Sequence, residues 1–147
     1  MSELRMVLPP ASTSLEYDWS REGYRLLCNT PLVEGVELEL VIPPEHWDVN
    51  ALLDAAGGLE ECAGQRHAER LLRSQEFIPT DWDKHDLFIL GTQWEFVRQP
   101  GGKKEVWIPR LTRGASGGPW EMQRWCFQTR SGWWPRAAIL KIVPSAK

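Results

Sequence analysis

Residues 36–42 limit the possible folds more than any other stretch. Val36, Leu38, Leu40 and Ile42 alternate with Glu37, Glu39 and Val41. A period of two places one set on each face of an extended strand, whereas a helix would scatter them. Pro43 and Pro44 then stop the run, since neither has an N–H for a ladder. A strand patterned this way needs partner strands and an apolar layer against one face.

Partners are expected on both sides of it in sequence. Leu15, Tyr17 and Trp19 alternate with Glu16 and Asp18, and Tyr24, Leu26 and Cys28 resume the alternation after a polar turn, which predicts a hairpin over residues 14–28. The continuous apolar run 87–90 predicts a buried strand. Residues 92–98 and 103–108 flank Pro100-Gly101-Gly102 and read as a second hairpin, closed by Pro109. Residues 122–128 and 133–143 read as further strands, with a glycine- and serine-bearing loop over residues 110–120.

The middle of the chain carries a helical period instead. Val49, Leu52, Leu53 and Ala56 share a face, with Asp48 or Asn50 able to cap it. Leu59, Cys62, Ala63, Leu71 and Leu72 give a weaker stripe, interrupted by Gly57, Gly58 and Gly64. The expected fold is therefore α+β: a mostly antiparallel sheet of N- and C-terminal strands with a helical segment at about 49–74. At 147 residues one domain spanning 1–147 suffices, with 1–13 a loose N-terminal arm.

Charge divides this chain sharply. Residues 1–97 hold 7 basic and 18 acidic side chains, net −11, and residues 98–147 hold 10 and 2, net +8, which together recover the −3 of the whole. One reading is that the two halves attract each other within one fold. The other is a basic surface for an anionic partner. The basic block also holds five of the nine tryptophans. Arginine and tryptophan are the residues most enriched at binding hot spots, and the same pair suits a nucleic-acid groove, where cations neutralise phosphates and rings stack on bases. The candidate binding residues are Trp107, Arg110, Arg113, Trp120, Arg124, Arg130, Trp133 and Arg136. The best stretch is the loop 110–120, because binding residues concentrate on loops.

Three other patterns suggest chemistry. Gly114-Ala115-Ser116-Gly117-Gly118-Pro119 satisfies G-x-S-x-G, but no histidine follows Ser116, which an α/β-hydrolase order requires. The same six residues resemble the Gly-Asp-Ser-Gly-Gly-Pro around the nucleophile of chymotrypsin-like proteases. That resemblance implies a Ser116 nucleophile with His46 or His85 as base and Asp86 behind it, and it departs from the motif at Ala115. Asp81, Asp83 and His85 would share a face of an extended segment and could ligate a hard or borderline metal. Asp86 and Thr92 stand where a calcium loop needs glycine and glutamate, so this is no EF-hand, and a solvated acidic turn is the plainer reading. Glu61, Cys62 and His67 are not spaced to meet on a helix. No phosphate-cradling glycine motif is present.

Cys28, Cys62 and Cys126 make no disulfide framework or zinc pair. Met1 to Pro10 lacks the apolar core of a signal peptide, and no run is long enough to span a membrane. The expectation is a small non-enzymatic, cytoplasmic binding protein without a cofactor, docking on a macromolecular partner, most simply a protein. Nucleic-acid binding through Arg98 to Arg136 is the alternative, and a Ser116 hydrolase or a metal site at residues 81–86 comes third.

Overall fold

The computed structural model describes residues 5–7, 16–31, 36–43, 49–97, 101–114, 117–126 and 136–144. It corrects the α+β expectation. The chain is mostly β, a curled half-barrel sheet with two short helices. The eight strands are β1 (Arg5–Val7), β2 (Arg25–Asn29), β3 (Val36–Val41), β4 (Asp86–Phe88), β5 (Thr92–Val97), β6 (Lys104–Arg113), β7 (Trp120–Cys126) and β8 (Ala137–Pro144). Helices α1 (Val49–Ala56) and α2 (Gln65–Arg73) replace the expected helical segment. α1 ends at Ala56 because Gly57 and Gly58 take positive φ values of 91° and 112°, which turn the chain. Among the described residues, no helix is long and apolar enough to cross a membrane.

Strand order is β1-β3-β8-β4-β6-β5-β2, with β7 also on β6. Every pairing is antiparallel except β4 with β8. Of the expected N-terminal arm, Arg5–Val7 pairs with β3, and the rest of 1–13 lies outside the described residues. The expected hairpin over residues 14–28 does not form. Trp19–Glu22 is a 3-10 turn capped by Asp18, and β2 pairs with β5 instead.

The sheet forks. One edge of β6 carries β7 from Trp107 to Arg113. The other edge is shared, by β5 as far as Trp107 and by β4 at Arg110 and Leu111. Beyond these, β5 continues to β2 and β4 to β8. Pro109 was expected to end the strand, but β6 runs through it. The Ile89 N–H donates to the Pro109 carbonyl at 3.0 Å, so the proline's missing donor falls at the changeover between β4 and β5, where no ladder is broken.

Residues 62–64 fill the fork. The Ala63 N–H donates to the Leu140 carbonyl at 2.8 Å, and the Gly91 N–H donates to the Ala63 carbonyl at 2.9 Å. The Thr30 N–H reaches the Gly91 carbonyl at 2.7 Å. This crowding requires glycine at 91: a Cβ there would lie 2.5 Å and 2.6 Å from the carbonyl oxygens of Cys62 and Ala63.

Both sheet faces are covered, which explains the continuous apolar runs in β4 and β8. On the α2 face, Leu87, Ile89, Ala138 and Leu140 pack with Leu71, Trp82 and Leu111. On the α1 face, Phe88, Leu90, Ala137 and Ile139 pack with Leu52, Ala56 and Ile108. Each such fully buried aliphatic or aromatic side chain contributes on the order of 1.5–3 kcal/mol of transfer free energy.

Candidate functional site

Three of the arginines singled out in the sequence meet at one end of the sheet, and topology explains why. β4 runs parallel to β8 and antiparallel to β6. The starts of β4 and β8 therefore lie beside the end of β6. Asp86 opens β4, Arg136 immediately precedes β8, and Arg110, Thr112 and Arg113 lie in the last part of β6. Asp83 joins them from the 3-10 turn Thr80–Lys84. Together they line an open cleft of about 630 Å³, with Gly114 and Gly117 at its rim.

Most of the charge in the cleft is paired. The Arg113 guanidinium donates to Asp83 Oδ1 at 2.8 Å and to the carbonyls of Gly118 and Gly117 at 2.6 and 2.9 Å. It thus holds the β6–β7 loop, where Gly117 supplies a left-handed φ of 77°. Asp86 is buried at the floor, where the Thr112 hydroxyl donates to its Oδ1 at 2.7 Å and Arg136 Nε stands 3.6 Å away. Arg136 also donates to the Asp83 carbonyl at 3.2 Å, and 46% of its side chain remains exposed. Arg110 donates to Gln123 Oε1 at 2.7 Å. His85 sits half-buried beside Arg136. Burial holds its imidazole below the usual histidine pKa, the Arg136 backbone pulls the other way, and the charges of Arg136 and Lys84 reinforce the depression.

The remaining candidates go elsewhere. Trp120 is buried in the core, its backbone clamped on both sides by the Gln75 amide at 2.8 and 3.1 Å. Trp107 is half-buried and edge-on to Tyr24, with ring centroids 6.2 Å apart. Arg124 comes from β7, on the edge of β6 away from β4 and β5, and pairs with Glu22 rather than entering the cleft. Arg130 and Trp133 lie outside the described residues, as does Ser116. The expected loop 110–120 loses both its ends to strands, because β6 extends through Arg113 and β7 begins at Trp120.

Residues 80–84 form a 3-10 turn and the chain becomes extended only at His85, so Asp81, Asp83 and His85 do not share a strand face. No group of three or more His, Cys, Asp or Glu gathers among the described residues. Asp83, Asp86 and Thr112 belong to the cleft and were not singled out for it. The acidic run is visible in sequence, but the pairing of Asp83 to Arg113 and of Asp86 to Arg136, 30 and 50 residues later, depends on strand order, which leaves no local signal.

Arg136, and the accessible portion of Arg110, present guanidinium donors in a fixed frame suited to carboxylates or other planar anions. In comparisons with protein-family models, curated proteins and solved structures, the chain matches none.

Proposed function

We propose that this chain is a non-enzymatic binding protein that docks on a macromolecular partner, most simply an acidic protein surface, through the cleft at Arg110, Arg113 and Arg136. The observation that carries the reading is their convergence from β6 and the start of β8 on one open cleft. Arg113 is committed to the loop, so Arg110 and Arg136 are assigned the contacts and Arg113 the framework. Cys28, Cys62 and Cys126 are free thiols, which favours a reducing, cytoplasmic setting. Nucleic-acid binding is the weaker reading, since Trp120 and Trp107 are packed against the protein's own side chains and offer no stacking platform in the cleft.

The test is in-cell crosslinking of the tagged full-length chain, with partners quantified by mass spectrometry. Arg110→Glu with Arg136→Glu should deplete specific partners by about tenfold or more, with circular dichroism unchanged. Recovery of the same partners at the same levels would overturn the proposal. A mobility shift with single-stranded RNA at about 50 mM salt, abolished near 200 mM, would move the assignment to nucleic acid.

A further inference from the structure

A second site lies over the sheet face formed by β5, β6 and β7, built from residues far apart in sequence. Trp19 and Glu22 come from the 3-10 turn, Tyr24 from the residue before β2, and Arg124 from β7. The Trp19 and Tyr24 rings lie 6.1 Å apart and tilted, forming two walls. The Arg124 guanidinium sits against both, 5.5 Å from the Trp19 centroid and 5.0 Å from that of Tyr24. Glu22 closes the ion pair at 2.5 Å. Two π faces and a carboxylate around one cation are the parts of a site that recognises organic cations.

Its Arg124–Glu22 end is reachable from solvent, while Trp19 is buried behind it. Arg124 is 34% exposed and Glu22 54% exposed at their side chains. Among the described residues, β7 pairs only with β6, so Arg124 stands on an edge strand and can leave by a rotamer change. Next to it is a hollow of about 370 Å³ lined by the same turn, where three carboxylates (Glu16, Asp18 and Glu22) outnumber the one cation, Arg21. Glu16 is paired with Arg73 and Asp18 caps the turn, so these acids draw flanking positive charge without being the site themselves.

We infer that the Trp19–Tyr24–Glu22 pocket is a guanidinium-recognition site, that Arg124 is its resident occupant, and that an arginine side chain from a basic partner segment displaces it. This site takes cations where the cleft takes anions, and it shares no residue with the cleft, so the two assignments stand or fall separately.

The probe is N-acetyl-arginine amide, followed by NMR at the Trp19 indole in the full-length chain. Arg124→Ala should bind it saturably at millimolar concentration, at least about tenfold more tightly than wild type, with the lysine analogue weaker. Adding Glu22→Gln should remove that binding. A folded Arg124→Ala chain with no saturable response, or an unchanged response after Glu22→Gln, would overturn the inference and leave Arg124 as an internal latch. Should Arg124→Ala fail to fold, the wild-type chain decides. An arginine-rich tripeptide should shift the Arg124 Nε–H resonance, and an unmoved resonance at about 10 mM peptide overturns the inference.

Discussion

His67 shows how much one buried side chain can set. It is fully buried on α2, and its Nδ1 accepts the Gly64 N–H at 3.0 Å, tying the helix start to the segment that fills the fork. That bond needs a neutral ring with its proton on Nε2, an atom without a hydrogen-bond partner. Burial lowers the pKa to about 4, and the nearby Arg70 charge lowers it further. The folded pKa lies below the unfolded one of about 6.5, so the contribution is complete above pH 6.5 and is lost as pH falls toward 4. Between pH 7 and pH 5 the fold should lose about 2 kcal/mol from this group alone. Urea unfolding of wild type and His67→Gln at the two pH values checks this, since glutamine can keep the bond to Gly64 without titrating. Equal pH dependence in the two chains would remove the assignment. Cys62 is the contrasting case: burial, with Glu60 adding to it, pushes its thiol up to about 12, and it acts as packing.

At the level of elements, residues 16–24 form a strap over the β5–β6 face. The Glu69 carboxylate, on α2, accepts the Glu16 and Tyr17 N–H groups at 2.9 and 2.8 Å, and Gln65 at 3.1 Å. Trp19 then packs on Trp94, with centroids 5.5 Å apart, and the Trp94 indole donates to Gln65 at 2.9 Å. Glu69→Ala would leave these donors without their acceptor and should cost about 2–4 kcal/mol. Hydrogen exchange should show Glu16 and Tyr17 losing protection while β6 and β7 keep theirs; loss spread evenly over the chain would refute a local role. This strap also shows where sequence reading stopped. The alternation of Leu15, Tyr17 and Trp19 suggests a strand, but the N–H groups of Glu16 and Tyr17 are taken by a side chain rather than a ladder. β3 and the β5–β6 hairpin were legible because their patterning and turn are local. Pro109 was misread because its strand changes neighbours there, and Arg110, Arg113 and Arg136 could be named but not brought together, since only the β4–β8 and β4–β6 pairings do that.

Across the whole molecule, the divided charge largely closes on itself. Arg113–Asp83, Arg124–Glu22, Arg136–Asp86 and Lys141–Glu61 each join the basic third to the acidic remainder. Mutual attraction of the two halves therefore accounts for part of the segregation, and in the cleft it ties Arg113 and Arg136 to Asp83 and Asp86. The fork is the other global feature, because both cores share β4 and β8 across it. Gly91→Ala would drive a methyl group into the carbonyls of Cys62 and Ala63 and should cost about 3 kcal/mol or more. A urea midpoint within error of wild type would show that the fork can relax. β8 adds a constraint in time. It is the last of the eight strands in sequence, yet it lies between β3 and β4 in the sheet. During synthesis, the facing edges of β3 and β4 stay unpaired until residues 137–144 leave the ribosome, so β3 waits for about 95 further residues and β4 for about 50 before the strand that joins them is made.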